Sequence, residues 1–212
     1  MQNFFKKLYR TTILNIMQSD WYYWLLMHVV PYIRFSMYYT SLRGWRYMRG
    51  YAKLENGDIL CVVDKKKLTS FLIPGTFSHA ALVVNKFAEW EISEMTHKNY
   101  TKSTFFDICK EADRVVILRC RAWDKEYITN TVIPNCKKME GALYDISFEL
   151  GVKMLYCSEM VYLSDSEKRL DLDLSDLIGI GRPYISPDGL YMARNVDIIW
   201  DSDKEIPEPG FW

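Results

Sequence analysis

The chain has 212 residues, 49% hydrophobic and 25% charged, which are globular values and enough for one full-cored domain plus an appendage. Its 27 basic and 27 acidic side chains cancel, so overall charge gives no support to a nucleic-acid partner. Five scattered cysteines (Cys61, Cys109, Cys120, Cys136, Cys157) with no C-x-x-C pair argue against zinc and against a disulfide framework, and suit reduced thiols in a reducing cytoplasm.

Residues 1–50 read as an aromatic-rich helical extension, broken at Pro31 and punctuated by Gly44 and Gly50. Lys6, Lys7 and Arg10 precede no apolar run ending in a cleavage site, so no secretory signal is expected. Trp21 to Ile33 is strongly apolar, yet as a helix it would span only ~20 Å, short of a bilayer core. Tryptophan and tyrosine beside arginines suit a helix packed on the domain, the reading adopted, or a peripheral contact with a membrane or protein. Arg34, Arg43, Arg46 and Arg49 form either a solvated edge or one facing phosphate.

From about Leu54 the pattern turns to strands. Gly57-Asp58 is a turn signal, and Ile59 to Val63 is a short apolar run typical of a buried strand, ended by Lys65-Lys66-Lys67. His79 opens a second buried strand, His79 to Val84. Trp90 to Met95 alternates, placing Trp90, Ile92 and Glu94 on one face and Glu91 and Ser93 on the other. A short helix over Phe105 to Ala112 precedes a strand at Val115 to Leu118. Residues 124–140 read as a helix weakened at Pro134, and Gly141 to Asp145 as a loop. A helix is expected over 157–168, opened by Cys157. Leu170 to Leu174 is loop or edge strand, Arg182 to Gly189 a turn-rich connection, and Val196 to Trp200 a last strand before a polar tail, 201–212. Strands with few long helices between them give an α+β domain with a largely antiparallel sheet.

Cys157 stands out by position. A thiol on the first turn of a helix meets unpaired N–H groups and the positive end of the helix dipole, both of which favour thiolate. Such a nucleophile needs a base and the base an orienting partner. Of three histidines, His28 sits in the aromatic stretch as a packed or partner-contacting residue, and His97 in an exposed polar loop. His79 opens a buried strand, where it is either a core histidine with one good hydrogen bond or a base. Glu94 is either a carboxylate stranded among apolar neighbours and in need of a partner such as His79, or a solvated strand end.

Gly57-Asp58-Ile59-Leu60, Ser78-His79-Ala80-Ala81-Leu82-Val83-Val84, Ser93-Glu94-Met95, Tyr144-Asp145-Ile146-Ser147-Phe148 and Tyr156-Cys157-Ser158-Glu159-Met160-Val161-Tyr162 occur in that order. Together with Ile185-Ser186-Pro187-Asp188-Gly189-Leu190 they resemble the permuted NlpC/P60 papain-like superfamily of YiiX/YebB type, over roughly 54–200. The resemblance implies a circularly permuted papain-like fold over 51–200, in which the nucleophile helix packs on the antiparallel sheet that bears the histidine. It makes Cys157 the nucleophile, His79 the base and Glu94 the group orienting it. Tyr144 and Asp145, pocket-lining or structural, and Ser158 stand at the substrate pocket, and no metal or cofactor is implied. Met160 departs from a more usual leucine, and residues 1–50 lie outside the pattern. The activity implied is a cysteine amidohydrolase or peptidase, with cell-wall peptides cut through a thioester acyl-enzyme. A lipid-directed acyl hydrolase or acyltransferase at a membrane, or a non-catalytic module of the same fold, remain alternatives. Without an export signal, a cell-wall enzyme would meet its substrate through recycling, lysis, or a virion or host cell were the chain phage-encoded.

Overall fold

The computed structural model describes residues 2–33, 40, 42–66, 70, 73–86, 88–151, 154–177 and 182–205, with backbone alone for 2–6 and 31. Arg34, Lys67 and the tail beyond 205 lie outside these. The strands are β1 (Ile59–Val63), β2 (His79–Lys86), β3 (Trp90–Met95), β4 (Tyr100–Thr104), β5 (Arg114–Cys120), β6 (Ser175–Asp176), β7 (Pro183–Tyr184) and β8 (Val196–Asp201). The helices are α1 (Gln2–Met17), α2 (Asp20–His28), α3 (Trp45–Lys53), α4 (Phe105–Cys109), α5 (Lys125–Tyr127), α6 (Ile133–Lys138), α7 (Cys157–Ser164) and α8 (Pro187–Tyr191). Six strands make one antiparallel sheet, ordered β4-β3-β2-β1-β5-β8, and β6 pairs with β7.

The sheet is covered on both faces. Ile59, Cys61 and Val63 join Ala80, Leu82 and Val84 in one core cluster with Met160 and Val161 of α7. Leu60 and Val62 join Ala81 and Val83 in a second, with Phe105 and Ile108 of α4 and Trp200, and with Tyr47 and Tyr51 of α3 against it. Double coverage is why β1 and β2 are continuous apolar runs instead of alternating ones.

Four elements differ from expectation. The helix over 124–140 is split, because Pro134 has no N–H to give. The backbone takes a π turn over Ile128–Val132, where the Ile133 N–H reaches back to the Ile128 carbonyl. The cysteine helix stops at Ser164, not 168. The next residue, Asp165, leaves helical geometry, and its buried carboxylate accepts from the Tyr127 hydroxyl at 2.5 Å and the Leu170 N–H at 2.6 Å. Residues 100–104 form an additional strand, and Pro187–Tyr191 is a short helix capped by the Ser186 hydroxyl, not a turn.

That last helix holds the chain entering β2. The Asp188 carboxylate accepts from the N–H groups of Thr76 (2.9 Å) and Phe77 (3.2 Å). Gly75 makes room for it at φ +121°, where a Cβ would fall 2.0 Å from Asp188 Oδ2. Gly75→Ala should therefore cost about 2 kcal/mol or more, from backbone strain and displacement of the carboxylate together. Gly141→Ala, at φ +91° but in open space, should cost less. Equal shifts in melting temperature for the two variants would show that the Asp188 contact contributes nothing.

Candidate active site

Two strands set the first pair of groups. In the β2–β3 ladder Glu94 lies opposite Ala81, so His79, two residues before Ala81, is its diagonal neighbour on the same face. The Glu94 carboxylate meets His79 Nε2 at 2.7 Å, with its side chain only 12% exposed. Of the two readings open for Glu94, the stranded carboxylate partnered by His79 is the one found. Its other oxygen accepts a short hydrogen bond from the Ser103 hydroxyl of β4. A carboxylate held at both oxygens fixes the imidazole's orientation and leaves Nδ1 for another partner.

That partner is the Cys157 thiol. Cys157 is the first residue of α7, and Tyr156 before it provides no side-chain cap, so the opening N–H groups of the helix are not taken by a capping side chain. The sulfur is in hydrogen-bonding contact with the backbone at Ala80 and Ser158 as well as with the His79 ring. Burial alone would push the thiol up, but His79 and these contacts together hold it below its ordinary value. For His79, burial works against charge, yet the hydrogen bonds to Cys157 and Glu94 and their negative charge prevail and push it up to about 10. The pair is thus biased towards thiolate and imidazolium. The other four cysteines, all free, go the opposite way: burial raises each, Cys109 to about 12.

The remaining expected pocket residues divide. Tyr144 hydrogen-bonds the Cys157 sulfur through its hydroxyl, and burial beside that sulfur pushes the phenol well above its ordinary value, so it stays protonated. Asp145 and Ser158 do not line the cleft. The buried Asp145 carboxylate is spent on the N–H groups of Ser147 and Glu149, both at 2.7 Å. The Ser158 hydroxyl donates to the Ile185 carbonyl at 2.7 Å, while the Tyr156 hydroxyl accepts from the Ile185 N–H at 2.9 Å. These two side chains clamp one peptide position against α7.

A cleft of about 870 Å³ ends on His79, Glu94 and Tyr144. Cys157 lies behind them, 1% exposed, in contact with the two of them that carry its hydrogen bonds. Facing them are Met17, Tyr22, Leu26 and Tyr32 of the N-terminal segment, which therefore walls the site. His97 also lines the cleft, half-buried and edge-on to Tyr32, where an exposed loop was expected. His28 is exposed, its ring 5.6 Å from that of Trp24. Sequence reasoning missed Ser103 and Asp188. The β-branched run around Ser103 carried a strand signal, whereas nothing local distinguished Asp188 from any helix-opening acid. Among the described residues, no group of three or more His, Cys, Asp or Glu side chains is placed to hold a metal ion.

Residues 53–178 match the family of permuted papain-like amidases YaeF/YiiX (C92). The chain belongs to this family. Its fold is also similar to the crystal structure of the metalloprotein yiiX from Escherichia coli O157:H7 (DUF1105), at TM-score 0.58 and 16% identity. That likeness covers 73% of this chain and 99% of the other. No curated protein matches it. A family of permuted papain-like amidases agrees with a site whose histidine precedes its cysteine in the chain, the reverse of the usual papain-like order.

Proposed function

We propose that this chain is a cysteine amidohydrolase or peptidase of NlpC/P60 type that cleaves amide bonds in peptidoglycan-type peptides through a thioester acyl-enzyme. The observation carrying this reading is the continuous contact from Ser103 through Glu94 and His79 to a sulfur at a helix start. The Cys157 thiolate attacks the amide carbonyl carbon, and the carbonyl electrons move onto oxygen. The Cys157 backbone N–H and the Tyr144 hydroxyl donate to that oxyanion. His79, as imidazolium, gives its proton to the leaving amine as the C–N bond breaks. Water, deprotonated by the same ring, then attacks the thioester, and the C–S bond breaks to release the acid and restore the thiolate–imidazolium pair. Glu94, steadied by Ser103, keeps the ring in one tautomer throughout.

The reading is tested by incubating the pure protein with muropeptides and following new primary amine. Intact-mass spectrometry of a quenched reaction should show an acyl adduct on the peptide containing Cys157. Amine release without any adduct would remove the thioester, and no release from any peptide amide would remove the activity. Tyr144→Phe separates the phenol's role from its packing: kcat should fall about tenfold to a thousandfold with KM little changed, since the donor acts on charge formed during reaction. An unchanged kcat would assign the hydroxyl to structure alone.

A further inference from the structure

We propose that the arm formed by α1 and α2 docks flat on the surface of an anionic lipid bilayer, an inference independent of the catalytic reading. Its inner side packs on the domain: Met17 is in the core cluster, and Ile13, Leu14 and Tyr22 lie against it. Its outer side is unusual for a surface in water. Leu8 and Tyr9 are half exposed, and Trp21 and Trp24 are 60% and 57% exposed. No residue of α2 is fully buried.

Charge selects the partner. Residues 1–33 carry Lys6, Lys7 and Arg10 against a single acid, Asp20, in a chain whose net charge is zero. The Lys7 and Arg10 side chains are exposed on the same helix as Leu8 and Tyr9, though at successive helical positions that place them on different azimuths. A bilayer with acidic headgroups satisfies both halves of this surface, taking indole and phenol rings at the interface and cations against phosphate. No helix among the described residues is long and apolar enough to cross a membrane, so the arm would lie along the interface. Because Met17, Tyr22 and Leu26 of the same arm wall the cleft, a docked arm sets the cleft beside the membrane surface.

The test is co-sedimentation of the full chain with vesicles of phosphatidylcholine alone and of phosphatidylcholine mixed with phosphatidylglycerol. The protein should pellet with the mixed vesicles and be released by added salt. Trp21→Ser with Trp24→Ser, and separately Lys7→Glu with Arg10→Glu, should each weaken partitioning about tenfold or more. All four side chains are exposed, so circular dichroism should stay unchanged in both variants. Equal or absent binding to the two vesicle types would overturn the proposal, as would binding that either pair of substitutions leaves intact. A dimer in velocity sedimentation that the tryptophan substitutions dissolve would assign the face to a second copy and overturn it too.

Discussion

Cys157→Ala should lower amide hydrolysis by about 10,000-fold or more, because the proposed acyl-enzyme forms on this sulfur. The fold should survive. Cys157 is 1% exposed and loses only its sulfhydryl, its Cβ remaining as the alanine methyl, so the loss is of order 1 kcal/mol from packing and hydrogen bonds. Thermal melting and muropeptide turnover on the same sample separate the two effects. Small alkylating agents near neutral pH give an independent reading: Cys157 should react before the four cysteines whose thiols burial holds in protonated form. Retention of full turnover by the alanine variant would place the chemistry elsewhere in the molecule.

His79→Ala should lower kcat by about 100- to 10,000-fold, since both proton transfers of the proposed reaction pass through this ring. The pH profile carries more information than the loss. His79 is pushed up to about 10 from an ordinary 6.5, while Cys157 is held below its ordinary 9.0. The competent pair in the proposed reaction is thiolate with imidazolium. Activity should therefore rise with pH as Cys157 loses its proton below 9 and fall only as the imidazolium loses its own near 10. Glu94→Gln removes one of the charges that raise the histidine, so the alkaline limb should move to lower pH, with a smaller loss of kcat than His79→Ala gives. A limb that stays in place in Glu94→Gln would mean that the carboxylate does not act through the ring.

The strands that carry the site were legible because burial on both faces makes β1 and β2 unbroken apolar runs, and a polar ring at the head of such a run is conspicuous. The alternation of Trp90, Ile92 and Glu94 placed the carboxylate on a definite face. Cys157 was legible through its helix start. What the pattern could not supply were contacts across long sequence intervals. Ser103 is an ordinary hydroxyl in a strand edge until β3 brings Glu94 beside it. Asp145 and Ser158 have the chemistry of pocket residues, but local peptide groups claim their side chains first. The N-terminal aromatics looked like one helix packed on a domain, and only the tertiary arrangement makes them a wall of the cleft.

The segment that seats Ile185 between Tyr156 and Ser158, and Asp188 over the chain entering β2, bridges the two halves of the site without contributing a reacting atom. The interval matched by the family, 53–178, ends before it. Every group given a part in the proposed reaction lies inside that interval, yet the bracket aligning sulfur with imidazole lies beyond it. A misplacement of roughly 1 Å already costs such a reaction about a hundredfold. A fragment trimmed to the shared interval would keep its full chemical complement and lose the register between its two working parts.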